Sequence, residues 1–104
     1  MSKDKPLLVK GCPLCEIFLN PKENVKTKLY YPDSIEDINQ ETELVILDCI
    51  SRKVPMIVYR DHMTSITREA WGRLLWKVRK ILGNVTLRCE PRRILDHFHC
   101  YVKK

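Results

Sequence analysis

Between Thr67 and Gly83, Trp71, Leu74, Leu75, Val78, Ile81 and Leu82 recur at helical spacing, and Arg73, Lys77 and Lys80 fall on the opposite side. Thr67 suits the N-cap, Glu69 the first turn and Gly83 the stop, so the pattern predicts one long amphipathic helix. A helix with one apolar face must bury that face against another element. Two short runs upstream supply the partner. Leu44-Val45-Ile46-Leu47 and Pro55-Met56-Ile57-Val58-Tyr59-Arg60 are too brief for helices and rich in β-branched residues, which marks buried strands. The polar link Ser51-Arg52-Lys53 makes them antiparallel neighbours. Residues 28–31, 85–88 and 94–102 read as further strands. The expected fold is α+β, an antiparallel sheet of about four or five strands packed against one long helix.

A chain of 104 residues has room for one core, so residues 1–104 form a single expected domain with residues 1–10 as a basic lead-in. Residues 20–28 and the acidic stretch 36–43 read as solvated connections. The apolar runs fall far short of the roughly 20 residues of a membrane span. Leu7 to Val9 is too short for the core of a signal peptide, so a soluble, cytoplasmic protein is expected. The formal charge of +6 favours a polyanionic partner such as nucleic acid, a nucleotide or phosphate. A merely solvated basic surface accounts for that charge equally well. If a polyanion binds, Arg73, Lys77, Lys80, Arg88, Arg92 and Arg93 are the expected contacts, and Trp76, off the apolar stripe, is a candidate stacking surface or dimer contact.

Cys12-Pro13-Leu14-Cys15 places two thiols after Gly11, where a tight turn aims both sulfurs at one point. That spacing suits half of a tetrahedral zinc site, and it also occurs in thioredoxin-like redox pairs, which need a βαβ unit that this pattern lacks. Further zinc ligands would come from the three histidines, His62, His97 and His99. In a strand over 94–102, His97, His99 and Tyr101 share one face and Phe98, Cys100 and Val102 the other. The five cysteines, without a secretory signal, argue against a disulfide framework, and Cys100 is expected as a small core residue. Cys49 and Cys89 have no spacing partner.

The run His97-Phe98-His99-Cys100-Tyr101-Val102-Lys103 resembles the hallmark strand of the histidine triad (HIT) superfamily of nucleotide hydrolases and transferases, except that Tyr101 stands at the third histidine. The order of CxxC, two apolar strands, His62 and the helix from Thr67 extends the resemblance along nearly the whole chain. In the zinc-containing branch, the resemblance implies one structural zinc ion per chain held by Cys12, Cys15, His62 and His97. It implies His99 as a nucleophile that attacks the α-phosphorus of a nucleotide, with Tyr101 beside it as a hydrogen-bond donor to phosphate. The stretch 83–93 lacks the family's usual phosphate-holding groups and offers Asn84, Arg88, Arg92 and Arg93 in their place. The family often forms homodimers. A zinc-stabilised HIT-like nucleotide-binding protein is thus one expectation. A non-enzymatic zinc module that binds nucleic acid or another polyanion is the alternative.

Overall fold

The computed structural model describes residues 8–49, 53–62, 66–89 and 97–103. Five antiparallel strands form one sheet in the order β1-β2-β3-β5-β4. They are β1 Leu29–Tyr31, β2 Leu44–Asp48, β3 Pro55–Tyr59, β4 Leu87–Arg88 and β5 His99–Val102. The helices are α1 Pro13–Leu19, α2 Pro21–Asn24 and α3 Arg68–Leu82. Among the described residues, no helix is long and apolar enough to cross a membrane.

The central hairpin follows from its sequence. Leu44 pairs with Tyr59 and Asp48 with Pro55, so two apolar runs lie side by side in full register. Continuous apolar runs, unlike alternating ones, mark strands covered on both faces. The packing obeys this. Leu44, Ile46 and Ile57 meet α3 on one face, while Val45, Leu47, Met56 and Val58 meet α1 and the segment around Val25 and Ile38 on the other. The sequence reading placed one helix against the sheet; the structure adds a layer on the opposite face, built from the N-terminal segment.

Helix α3 has the expected limits. Thr67 Oγ1 accepts a hydrogen bond from the Ala70 N–H at 3.1 Å, and Gly83 ends the helix at φ +84°, a conformation costly for other residues. Ala70, Leu74 and Val78 are its buried residues, with Trp71, Ile81 and Leu82 packed around them. Leu75, expected on the stripe, instead lines a surface groove beside Trp76. Helix α1 has seven residues, too few to hold without tertiary contacts. Pro13 at its first position and the burial of Leu14, Cys15, Ile17 and Phe18 hold it against the sheet.

Strand β5 alternates as its sequence predicts. Phe98, Cys100 and Val102 face α3, and Tyr101 packs on the opposite side. The strand begins at His99, with His97 and Phe98 leading into it instead of extending it as expected; the expected start at Ile94, like Arg92 and Arg93, lies outside the described residues. One expectation is overturned. Cys100 is not a lone core thiol but is bonded to Cys89 across 4.0 Å between Cα atoms. The cause is register: Leu87 opposes Val102 and Arg88 opposes Tyr101, so the next pair along the ladder is Cys89 and Cys100. The three cysteines outside this bond, Cys12, Cys15 and Cys49, are buried.

Candidate metal centre

Cys12 is the N-cap of α1 and Cys15 lies in its first turn. The chain enters through Gly11 at φ +96°, and the Cys12 N–H donates to the Val9 carbonyl at 3.2 Å, closing the turn. Glu16 steadies it by accepting from the Gly11 N–H at 3.0 Å and from Asn20 Nδ2 at 2.8 Å. The Asn20 bond first, then the Gly11 bond, holds the Glu16 carboxyl below the usual carboxylate range. Both sulfurs thereby face the end of the sheet where β3 finishes and β5 begins.

Two histidines arrive at that end. His62 follows β3 and His97 precedes β5, and their rings meet edge to face at 5.4 Å. Nδ1 of His97 stands 3.5 Å from Cys12 Sγ and 3.3 Å from Cys15 Sγ, and Nδ1 of His62 stands 3.4 Å from Cys15 Sγ. The four donor atoms all lie within 4.8 Å of one another and could hold one metal ion. Cys12 and Cys15 come from the N-terminal turn, and His97, just before the last strand, lies 85 and 82 positions further along the chain.

The orientation of His97 suits a ligand. Its Nε2 is 2.7 Å from the Tyr59 carbonyl oxygen. A carbonyl only accepts, so Nε2 carries the proton and Nδ1 of the neutral ring presents its lone pair to the sulfurs. A second nitrogen fixed by a backbone carbonyl is the usual support of a metal-bound imidazole. His97 is also fully buried, and such a polar ring inside an apolar core needs both nitrogens satisfied. The thioredoxin-like alternative for the CxxC pair lacks its setting, since every strand pair among the described residues is antiparallel.

His99 and Tyr101 lie next to this centre on the same strand face, with ring centroids 5.4 Å apart. His99 Nδ1 donates to the His97 carbonyl oxygen at 2.8 Å, which leaves Nε2 of the neutral ring as the acceptor. The ring is 2% exposed. Arg88, opposite Tyr101 in the ladder, shares that face because paired residues point to the same side. Asn84 is exposed just beyond the end of α3, in the connection to β4.

The basic residues of α3 are not equivalent. Arg73 is held by Glu43, donating from Nε at 2.9 Å and from Nη2 at 2.6 Å to the same carboxylate. It is therefore engaged within the chain, a partner invisible in sequence because the two residues lie 30 positions apart. Lys77 and Lys80 stand differently, over the ring of an exposed Trp76. Compared with known protein families, with curated proteins and with solved structures, the chain gives no match.

Proposed function

We propose that the chain is a small zinc-stapled module, HIT-like in the order of its motifs, that binds a polyanion through its basic surface. The observation that carries the metal is the donor geometry. In a tetrahedral site with Zn–S near 2.3 Å and Zn–N near 2.0 to 2.1 Å, sulfur and nitrogen lie roughly 3.5 Å apart. The three sulfur–nitrogen separations here are 3.5, 3.4 and 3.3 Å. Two thiolates and two imidazoles in a tetrahedron are a zinc donor set, and four protein ligands leave no open position for substrate. The ion's role is then structural: it joins the N-terminal turn, the end of β3 and the start of β5.

The polyanion half of the reading rests on the +6 charge and on lysines at the surface of α3. Titrating the zinc-loaded protein with a labelled polyanion at low and high salt tests it. Counterion release predicts a steep loss of affinity with salt. No binding at low salt, or binding that salt leaves unchanged, contradicts it.

One observation favours a second reading, in which His99 is a nucleophile toward a nucleotide. Its Nδ1–H is tied to a backbone carbonyl, which leaves the Nε2 lone pair available on a ring held by a rigid strand. In that reaction Nε2 forms a bond to the α-phosphorus as the leaving-group oxygen departs with its electron pair. Tyr101 would donate its hydroxyl to a phosphate oxygen. Incubation with an activated nucleotide should leave an acid-labile, base-stable adduct that His99→Ala loses while zinc content stays the same. The 2% exposure of His99, against 59% for Trp76, makes the binding module the better supported reading.

A further inference from the structure

Helix α3 carries a surface feature that neither the metal centre nor the core explains. Trp76 is 59% exposed, whereas Trp71, five residues earlier, packs edge-on against Phe98 at 6.2 Å. A large aromatic side chain left in water on an otherwise well-packed helix marks a binding surface more often than a leucine there would. Around it the surface is concave. A groove of about 560 Å³ is lined by Tyr31, Glu43, Gly72, Arg73, Trp76 and Lys77 among others, its one carboxylate, Glu43, being neutralised by Arg73, and a second concavity beside Trp76 adds Leu75, Arg79 and Lys80.

Gly72 is the second observation. It sits inside α3, one turn before Trp76, where glycine costs about 1 kcal/mol relative to alanine. A Cβ at this position would meet nothing within 4 Å, so no close approach inside the fold requires a glycine. Its effect is on the outer surface: it leaves both concavities flanking the Trp76 ring without a side chain at that point.

The charges define the occupant. Lys77 lies 4.4 Å from the Tyr31 ring centroid and 5.5 Å from that of Trp76, and Lys80 lies 4.9 Å from Trp76. Arg79 is exposed on the same helix. A second copy of this chain would bring the same cations against each other, so self-association through this face is electrostatically disfavoured. A flat ring beside cations matches a ligand that alternates π faces with phosphates. In a duplex those faces are stacked inward; in a single strand they are available.

We propose that the Trp76 groove binds single-stranded nucleic acid, with a base stacked on Trp76 and neighbouring phosphates on Lys77, Arg79 and Lys80. This proposal rests on the polyanion reading above and names its ligand class. Arg73, tied to Glu43, shapes the groove wall instead of contacting phosphate.

The test uses the 104-residue, zinc-loaded chain and three probes: an oligothymidylate of about one OB-fold footprint in length, roughly 12 nucleotides, a duplex of similar charge, and heparin. Expected are preferential binding of the oligothymidylate and quenching of tryptophan emission on binding. Trp76→Ala should weaken that binding between about 5-fold and 150-fold, the range of one base–aromatic stack, and abolish the quenching, because Trp71 is packed against Phe98. Gly72→Leu, which fills the groove without removing any polar group, should weaken binding while far-UV circular dichroism stays unchanged. Replacing Lys77 and Lys80 together by alanine should lower the salt slope by about 1.4, two single-strand phosphate contacts. Equal binding of all three probes, unaffected by Trp76→Ala, would overturn the stacking proposal and leave the polyanion reading standing. Absence of binding to any probe at low salt would overturn both. A concentration-dependent mass doubling that Trp76→Ala reverses would show the face to be a self-interface and overturn the proposal.

Discussion

Replacing Cys15 by alanine separates the metal's contribution from that of packing. Cys15 is fully buried, with its sulfur 3.4 Å from His62 Nδ1 and 3.3 Å from His97 Nδ1. Without metal, the substitution removes one buried sulfur from the α1 side of the core, which costs about 1 to 2 kcal/mol in transfer and cavity free energy. With metal, it also removes one of four donors. At free zinc about 100 times its dissociation constant, an ion bound only by the folded chain stabilises it by about 2.7 kcal/mol. In a domain of about 100 residues, each kcal/mol shifts Tm by roughly 4 to 8 °C. The wild-type protein should therefore melt roughly 10 to 20 °C higher in zinc than in chelator. Cys15→Ala should lose most of that gap, while melting only roughly 4 to 16 °C below wild type when both are in chelator. Melting curves of both proteins in both buffers form a thermodynamic cycle that isolates the coupling between residue and metal. A wild-type Tm indifferent to chelator, or a zinc-dependent gap preserved in Cys15→Ala, would show that Cys15 holds no stabilising metal.

Thr67→Ala should cost about 1 kcal/mol, because it leaves the Ala70 N–H without its cap; a denaturant midpoint equal to wild type contradicts this. Gly72→Ala should stabilise α3 by about 1 kcal/mol in the same assay, and a loss of stability would show that the glycine serves the fold. The Cys89–Cys100 bond closes a loop with a sequence separation of 11, for which chain entropy gives about 3 kcal/mol, so reduction should lower Tm in the metal-loaded protein. Thiol labelling of the denatured, unreduced, metal-free chain should count three reactive cysteines, and five would contradict the bond. The Tyr30 hydroxyl donates to Asp48 Oδ1 at 2.8 Å, and that bond, ahead of desolvation and the Asp48 charge, holds its pKa above the ordinary phenol value. A raised folded-state pKa contributes stability that is intact below the ordinary value and lost as pH rises through the folded one. Stability should therefore fall above about pH 10, and less steeply in Tyr30→Phe; identical alkaline slopes would count against the bond.

How much of this was legible in sequence depended on how local each signal is. The α3 limits were readable because the Thr67 cap, the Gly83 stop and the apolar stripe all lie within one segment. The buried hairpin was readable because each of its strands is a single apolar run. Helix α1 is not among the expected elements, although Pro13 and the i, i+3, i+4 spacing of Leu14, Ile17 and Phe18 signal it; seven residues make a short pattern, and the CxxC within it suits a tight turn equally well. The Cys89–Cys100 bond and the Arg73–Glu43 pair could not be read from spacing. Both depend on which strand lies beside which, and β4 pairs with β5 only in the folded sheet. For the metal centre, the CxxC pair was local, but selecting His62 and His97 from three histidines rested on resemblance. The structure independently brings those two, with the cysteines, to one point.

The central claim is that Cys12, Cys15, His62 and His97 hold one structural zinc ion. X-ray absorption at the zinc edge, with elemental analysis of the same purified sample, tests it most directly. The expected result is one zinc per chain, with two sulfur neighbours near 2.3 Å and two nitrogen neighbours near 2.0 to 2.1 Å. Purified chain that carries no zinc and takes none up, or a zinc shell dominated by oxygen, would contradict it.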